Sequence, residues 1–178
     1  LLSANRNDHY SKAELEAFFK DALGLERILW LRHGYLAGDD TDSHVDTLAR
    51  FCDARTIAYV QNEDPADEHD GALRRMEEEL RAFRTADGHP YTLIPLPMAD
   101  AACDPDDGHR LPATYANFLI LNGAVLVPTY ASPKDAPALA RLAPAFPGRE
   151  IIGIDCRPLI RQHGSLHCVT MQFPVGFL

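Results

Sequence analysis

A repeated order of elements constrains the fold of this 178-residue chain more than any single motif does. Two short apolar segments, an amphipathic helix and a further apolar segment follow one another between about residues 47 and 96, and the same order returns between about residues 115 and 154. The two copies share little sequence identity, so the repeat is one of pattern. It predicts an α/β fold of hairpin-helix-strand units that pack with pseudo-symmetry about one axis.

Turn residues and apolar periodicity bound the elements of both repeats. The first repeat contains predicted strands Thr47–Phe51 and Thr56–Val60 around Asp53-Ala54, a helix at about 68–85 with Leu73, Met76, Leu80 and Phe83 on one face, and strand Tyr91–Leu96. The second contains strands Tyr115–Leu121 and Ala124–Pro128 around Asn122-Gly123, helix Asp135–Ala145 and strand Glu150–Ile154. Between the repeats, Pro97–Pro112 is predicted to be a long loop.

Partial units flank the two repeats. Ser11 and Glu14 form a predicted capping box that begins a helix at about 11–23, and Gly24 ends it. A buried strand, Arg27–Leu31, is expected to follow, and a last strand is expected at His167–Phe173. The loop after the first of these strands and the residues of the last one each follow a helix-strand pair, so pseudo-symmetric packing would bring them together.

The stretch Gly38–Asp46 carries an unusual concentration of acidic residues. It holds the carboxylates of Asp39, Asp40, Asp42 and Asp46 together with the imidazole of His44 within nine residues. Ionised carboxylates this close repel one another, so a fold that keeps them offsets the repulsion with a metal, a cationic ligand or a hydrogen-bond network. The stretch lacks the glycine and the distal glutamate of an EF-hand, which argues against that class of calcium site.

Charge and cysteine usage narrow the class of partner. The chain has 26 acidic and 17 basic residues and a formal net charge of -9, which argues against nucleic acid and fits a small cationic substrate. No apolar run is long enough to predict a membrane span. The four cysteines, Cys52, Cys103, Cys156 and Cys168, form no CxxC pair, so reduced thiols in the cytoplasm are expected.

Two motifs resemble those of the agmatine deiminases, within the wider guanidino-group-modifying (pentein) enzymes. Residues 38–46, Gly-Asp-Asp-Thr-Asp-Ser-His-Val-Asp, are similar to that family's histidine/aspartate motif, and residues 164–172, Gly-Ser-Leu-His-Cys-Val-Thr-Met-Gln, are similar to its nucleophile motif. Residues 113–128 and 146–155 are similar to family segments as well, in the same order. The resemblance covers nearly the whole chain.

The resemblance implies where this chain belongs in a longer fold. Leu1–Asn7 is similar to a stretch near the middle of an agmatine deiminase, so the chain is expected to be the C-terminal portion of a single pentein domain. About half of a five-bladed α/β propeller of ββαβ units is then expected, in sub-units of approximately 1–45, 46–112 and 113–178. Half a propeller leaves strand edges and apolar surface uncovered, so we expect this piece to self-associate, and a homo-oligomer is possible.

The resemblance also implies a reaction and its residues. A guanidinium carbon is a poor electrophile because its charge is delocalised, so its hydrolysis needs a strong nucleophile, a proton donor and anions that hold the substrate plane. By their positions in the motifs, Cys168 is expected to attack the guanidinium of agmatine, and His44 to act as general acid and then base. Asp46, two residues from His44 on an extended segment, is expected to hold the guanidinium, and Asp40 the distal amine. No metal or organic cofactor is implied.

Two departures from the family pattern are visible. The glycine-rich approach to the nucleophile is His163-Gly164-Ser165 in this chain, so a side chain stands where glycine permits close backbone approach. The second guanidinium-binding aspartate of the family belongs to a Trp-x-Arg-Asp motif that does not occur in this sequence.

Other interpretations remain open from the residues alone. A peptidyl-arginine deiminase of the bacterial type would use the same catalytic set, although the acidic loop favours a substrate with a distal amine. A non-catalytic fragment or interaction module would keep His44, Asp46 and Cys168 only as inheritance, and the absent second aspartate supports it. Taken singly, His44 and Asp46 also fit a loop hydrogen-bond network, and Cys168 fits a core thiol. A protein that binds a divalent metal through Asp39, Asp40, Asp42 and Asp46 is a third class. The remaining histidines are scattered and form no zinc spacing; they are His9, His33, His69, His89, His109, His163 and His167.

Overall fold

The computed structural model describes residues 1–2, 6–40, 44–173 and 176. The chain falls into two compact units, Leu1–Arg32 and His33–Leu178, which are described separately below. None of the helices in the described residues is both long enough and apolar enough to cross a bilayer.

The first unit contains helix α1, Lys12–Leu23, and its two ends confirm the sequence prediction. Ser11 and Glu14 form the capping box, and Gly24 ends the helix with φ 64°. The predicted strand Arg27–Leu31 is wrong, because the described part of this unit offers no neighbouring strand to pair with. A side chain holds the segment to the helix instead: Trp30 Nε1 donates to Glu16 Oε1 at 2.6 Å.

In the second unit, the first repeat forms a three-stranded sheet covered by a helix. The elements are β1 Ala49–Phe51, β2 Thr56–Gln61, helix α2 Asp70–Ala82 and β3 Thr92–Pro97. Strand β1 pairs antiparallel to β2, and β3 pairs parallel to β2 on its other side. The hairpin, the helix and the strand predicted for this repeat are therefore confirmed. The residues before β1 differ from the prediction, because Val45–Thr47 is a 3-10 turn and not part of the strand.

The predicted loop after β3 contains a small hairpin. Strands β4 Ala102–Cys103 and β5 Arg110–Leu111 pair antiparallel within it. Gly38 lies against this hairpin with φ 80°, and a Cβ atom at that position would approach the carbonyl oxygen of Arg110 to 2.2 Å. Only glycine fits this combination of left-handed backbone and close approach. The hairpin therefore determines where the acidic stretch begins.

The second repeat has the same topology as the first. Its elements are β6 Leu119–Ile120, β7 Ala124–Thr129, helix α3 Asp135–Leu142 and β8 Glu150–Asp155, with a 3-10 turn at Ala143–Ala145. Strand β6 is antiparallel and β8 parallel to β7. Strand β6 is shorter than predicted, which lets Pro128 lie in β7: its missing N–H faces the part of β7 that β6 does not reach.

Helix α3 connects the two repeats. It packs on β8 of its own sheet and on β3 of the preceding sheet. Arg141 Nη1 donates to the carbonyl oxygen of Pro95 in β3 at 3.1 Å. Ala138 and Leu142 are the buried residues of this helix. One helix therefore packs against both sheets.

The end of the chain departs from the predicted strand His167–Phe173. A short helix α4, Arg157–Ile160, follows β8, and His167–Val169 forms a 3-10 turn. The backbone N–H of His167 bonds to the backbone and side-chain oxygens of Asn117, at 3.3 and 2.8 Å. A strand at this position is wrong because this backbone donor is directed at one buried residue and not at a neighbouring strand.

Truncation of the buried face of α2 tests how far the first repeat depends on it. Leu80 is 2% exposed, and Leu80→Ala should lower the free energy of unfolding by about 2 to 5 kcal/mol, because the cavity is only partly refilled. Urea denaturation of the whole protein, with and without the substitution, measures this change. Glu78→Ala, on the exposed face of the same helix, should change stability by less than about 0.5 kcal/mol, and equal effects of the two substitutions would contradict the packing described.

Candidate active site

The side chain of Asn117 lies at the centre of the candidate site and is completely buried. Its Nδ2 donates to the backbone oxygen of Asp46 at 3.2 Å and to Asp46 Oδ2 at 3.1 Å. Its Oδ1 accepts from the backbone N–H of His167 at 2.8 Å and from Cys168 Sγ at 3.6 Å. The amide therefore joins two segments that are more than a hundred residues apart in the chain.

The carboxylate of Asp46 is held on one side by this network. Its Oδ2 accepts from Asn117 and lies 2.7 Å from His167 Nδ1, whereas its Oδ1 lies 4.0 Å from His44 Nδ1. Thr47 Oγ1 donates to the backbone oxygen of His44 at 2.7 Å and closes the 3-10 turn. The expected extended segment is therefore wrong, but the turn still places the side chains of His44 and Asp46 near each other.

Three of the four predicted site residues come together. Asp46 and Cys168 bond to Asn117, and His44 lies beside Asp46; the side chain of His44 is 46% exposed and that of Asp46 is 20% exposed. Cys168 is exposed, and its sulfur lies 3.6 Å from Asn117 Oδ1. Asp40 is exposed and makes no hydrogen bond to the described residues. Asp42 lies outside the described residues.

Sequence reasoning missed two residues of this cluster. Asn117 stands in an apolar run, and a polar side chain in such a run was a usable signal, because a buried amide needs hydrogen-bond partners. His167 belongs to the cluster as well, because its ring contacts Asp46, although it forms no zinc spacing. The spacing of His167 to the other histidines and to the aspartates does not indicate a site. Only its position directly before Cys168 could have indicated that it belongs to the cluster.

The approach to Cys168 explains one departure from the family pattern. A Cβ atom on Gly164 would lie 3.2 Å from Cys168 Cβ, so the glycine at that position is tightly packed. His163 has φ 63° where the family pattern favours glycine. Its ring lies 5.2 Å from that of His109, and its Nδ1 is 2.9 Å from the backbone oxygen of Gly38. These contacts offset the backbone strain and connect residues 163–168, the cysteine loop, to the start of the acidic stretch.

A second layer of hydrogen bonds supports the site from below. Tyr130 OH donates to the backbone oxygen of Thr114 at 2.9 Å and bonds to Ser165 Oγ at 2.9 Å. Thr114 Oγ1 donates to the backbone oxygen of Thr47 at 2.7 Å. Burial raises the pKa of Tyr130, so its hydroxyl stays a neutral donor. The cysteine loop and the Val45–Thr47 turn therefore share one buried support.

Arg50 adds a permanent positive charge near the site. Its Nη1 donates to the backbone oxygen of Phe118, and its guanidinium lies 5.1 Å from the centroid of the Phe118 ring. Burial lowers the pKa of Arg50, whereas Asp46, Cys52 and Cys168 raise it. An arginine remains protonated at physiological pH in any case, so Arg50 keeps its positive charge in this partly buried place.

The described residues contain no group of three or more histidine, cysteine, aspartate or glutamate side chains that could hold a metal ion. The metal alternative raised by the acidic stretch also involves Asp42, which is not among them. The arrangement that is described consists of a reachable thiol, an imidazole and a carboxylate, which suits covalent nucleophilic catalysis on a cationic group.

Comparison with known proteins identifies the class of this fold. A variant of Campylobacter jejuni agmatine deiminase, with serine in place of a cysteine and substrate bound, superposes with a TM-score of 0.87 at 43% identity, over 94% of this chain and 48% of that one. A Porphyromonas gingivalis protein provisionally named an arginine deiminase superposes with a TM-score of 0.95 at 61% identity, over 99% of this chain and 52% of that one. The chain therefore has the α/β pentein fold and corresponds to about half of it.

The sequence comparison then gives the family. The chain belongs to the Porphyromonas-type peptidyl-arginine deiminases, a family that matches residues 1–174. The agmatine deiminase of Pseudomonas aeruginosa is 34% identical over 98% of this chain and 51% of its own length. The chain thus spans about half the length of the relatives that it matches.

Removal of the central amide should weaken the fold as well as the site. Asn117→Ala removes the side-chain acceptor of the His167 backbone N–H and one of the two donors to Asp46 Oδ2, and should cost about 1 to 3 kcal/mol of unfolding free energy. Asn122→Ala, in the exposed turn between β6 and β7, is the matched control and should cost less than about 0.5 kcal/mol. Thermal or urea unfolding of both variants measures the difference.

The four cysteines should react with iodoacetamide in an order set by exposure and thiol pKa. Burial raises the pKa of Cys52 to about 11 and also raises that of buried Cys156, so only about 0.1% of Cys52 is thiolate at pH 8. Exposed Cys103 and Cys168 should therefore be labelled first. Labelling of Cys52 should rise about tenfold per pH unit between pH 8 and 10, since the thiolate fraction rises until the pH reaches the pKa. Peptide mapping by mass spectrometry measures the order, and equal rates for Cys52 and Cys103 at pH 8 would contradict it.

Proposed function

We propose that this chain is the C-terminal portion of an agmatine deiminase, which hydrolyses agmatine to N-carbamoylputrescine and ammonia on the route to putrescine. The observation that carries the proposal is that one buried amide, Asn117, bonds both to Asp46 and to Cys168. It joins the two segments that carry the motifs. The agmatine deiminases among the relatives support the choice of substrate.

In the proposed first half-reaction, the Cys168 thiolate attacks the guanidinium carbon. As the C–S bond forms, the electrons of one C–N bond move to nitrogen, which takes a proton from His44 and leaves as ammonia. An amidino-thioether remains on the cysteine. Exposure of Cys168 and of nearly half of the His44 side chain leaves both groups accessible to the substrate.

In the second half-reaction, His44 takes a proton from a water molecule, which attacks the same carbon. The C–S bond then breaks, and the electron pair returns to Cys168 as thiolate. Loss of the remaining hydroxyl proton to solvent leaves the water oxygen as the carbonyl of N-carbamoylputrescine. Nucleophile, acid/base and anion are all side chains, so the proposed chemistry needs no metal or organic cofactor.

Asp46 is proposed to hold the guanidinium. Because Oδ2 is occupied by Asn117 and His167, Oδ1 is the oxygen left to accept an N–H of the substrate beside His44. Asp40, exposed in the acidic stretch, is proposed to contact the distal amine of agmatine. A carboxylate at that place favours an amine over the carboxylate or peptide group of an arginine substrate.

The organisation of the whole protein is also a proposal. We assign sub-units of approximately 1–45, 46–112 and 113–178; the sheet β1–β3 lies within the second, and the sheet β6–β8 lies within the third. Four free thiols fit a reducing compartment, so the cytoplasm is proposed. Self-association through uncovered strand edges and apolar surface is proposed as well.

A peptidyl-arginine deiminase is the second candidate, because the family that matches the chain carries that description. The two substrates differ at the end far from the guanidinium: agmatine has an amine there, and a peptide does not. Comparison of kcat/KM for agmatine and for an arginine peptide therefore decides between them. Faster turnover of the peptide would favour the second candidate.

The proposal is tested by mapping covalent adducts on the naturally produced protein after incubation with 2-chloroacetamidine, together with an assay of N-carbamoylputrescine release. We expect an adduct on Cys168 and loss of turnover in Cys168→Ala, and Asp46→Asn should lower kcat/KM by about a hundredfold or more. Cys103→Ser, at an exposed thiol outside the cluster, is the matched control and should retain turnover. Absence of a Cys168 adduct would leave the deiminase without its nucleophile.

A further inference from the structure

We infer that His167 is a positioning residue for substrate recognition: by binding one oxygen of Asp46, it directs the other oxygen at the guanidinium. This inference deepens the proposed function and rests on it. The residue touches Asp46 and is not proposed to touch the reacting atoms.

The contact between His167 and Asp46 is short and has one chemical interpretation. Nδ1 of the ring lies 2.7 Å from Asp46 Oδ2, within the range of a charge-assisted hydrogen bond. An ionised carboxylate only accepts, so the proton of this bond is on Nδ1 whether the imidazole is neutral or protonated. His167 therefore acts as a donor to Asp46 in both protonation states.

Asp46 Oδ2 receives two donors that come from different directions in the fold. Asn117 Nδ2 donates from the segment before β6 at 3.1 Å, and His167 donates from the 3-10 turn next to the nucleophile. One donor leaves a carboxylate free to rotate about its last torsion, because rotation about an sp³–sp² bond is soft. Two donors on the same oxygen restrict the plane of the carboxylate, and Oδ1 then faces His44.

The backbone of His167 is fixed on both sides. Its N–H donates to Asn117 Oδ1 at 2.8 Å, and its carbonyl oxygen accepts from the backbone N–H of Thr170 at 3.1 Å and from Thr170 Oγ1 at 2.8 Å. The side chain is 28% exposed and therefore packed on most of its surface. The ring can hold Asp46 because its own position is determined.

Fixing the plane of the carboxylate matters for this class of substrate. A guanidinium is planar and delocalised, and a carboxylate recognises it well only when the two planes are suitably oriented. A small misplacement of a bound substrate relative to the nucleophile costs reaction rate steeply. Since His167 directly precedes Cys168, one dipeptide places the nucleophile and orients the anion that holds the substrate.

The test compares two reagents of similar size that differ in charge. 2-Chloroacetamidine is cationic and resembles the guanidinium, whereas 2-chloroacetamide is neutral, and both alkylate a thiol. The ratio of their second-order rate constants at Cys168 measures how much Asp46 favours the cation. The ratio measured for Asp46→Asn is the reference value, because this variant lacks the carboxylate that favours the cation.

His167→Ala should lower the ratio by about tenfold or more, as expected for loss of a hydrogen bond to a charged group, and should change the rate with neutral chloroacetamide by less than about threefold. His167→Asn places an amide nitrogen near the position of Nδ1 and should recover most of the ratio. His167→Gln places its amide near the position of Nε2 and should not. His89→Ala, at an exposed ring far along the chain, is the control and should match the unaltered protein.

Three results would overturn the inference. The first is an unchanged ratio in both His167→Ala and His167→Gln. The second is an equal loss of reactivity toward both reagents, which would mean that His167 acts on the thiol and not on Asp46. The third is a protein that shows no preference for the cationic reagent, in which case the proposed function fails together with the inference. If His167→Ala does not fold, the comparison of His167→Asn with His167→Gln decides.

Discussion

Burial of the Asn117 amide is the constraint on which the rest of the site depends. Burial of a primary amide destabilises the folded state unless its donors and acceptors form hydrogen bonds. The Asn117 amide forms them with Asp46, His167 and Cys168. Satisfying the amide and assembling the site are therefore the same event.

The two ββαβ repeats provide the frame that allows this meeting. In each unit two parallel strands are connected by a helix. Helix α3 packs on β8 of its own unit and on β3 of the other. The Val45–Thr47 turn directly precedes β1 of the first sheet, and the cysteine loop follows β8 of the second sheet along the chain. Tyr130 and Thr114 connect these two segments beneath the site through buried hydrogen bonds.

Chain features that look unfavourable in isolation have a use within this frame. The left-handed backbone of His163 is strained, yet its side chain bonds to Gly38 and so connects the cysteine loop to the acidic stretch. Arg50 is a partly buried cation, yet its guanidinium donates to the backbone oxygen of Phe118, the neighbour of Asn117.

The sequence by itself determined the repeated hairpin-helix-strand pattern, the caps of α1 and the buried face of α2, because periodicity and capping residues are local properties of the chain. The resemblance to a known family pointed to His44, Asp46 and Cys168, which the fold brings together. The sequence could not predict that Arg27–Leu31 and His167–Phe173 are not strands, since pairing depends on a partner distant in sequence. It also missed Asn117 and His167, whose partners lie about 70 and 120 residues away in the chain. Only the tertiary structure decided which side chains bond to Asp46, because a hydrogen bond requires the fold to bring both groups within about 3 Å.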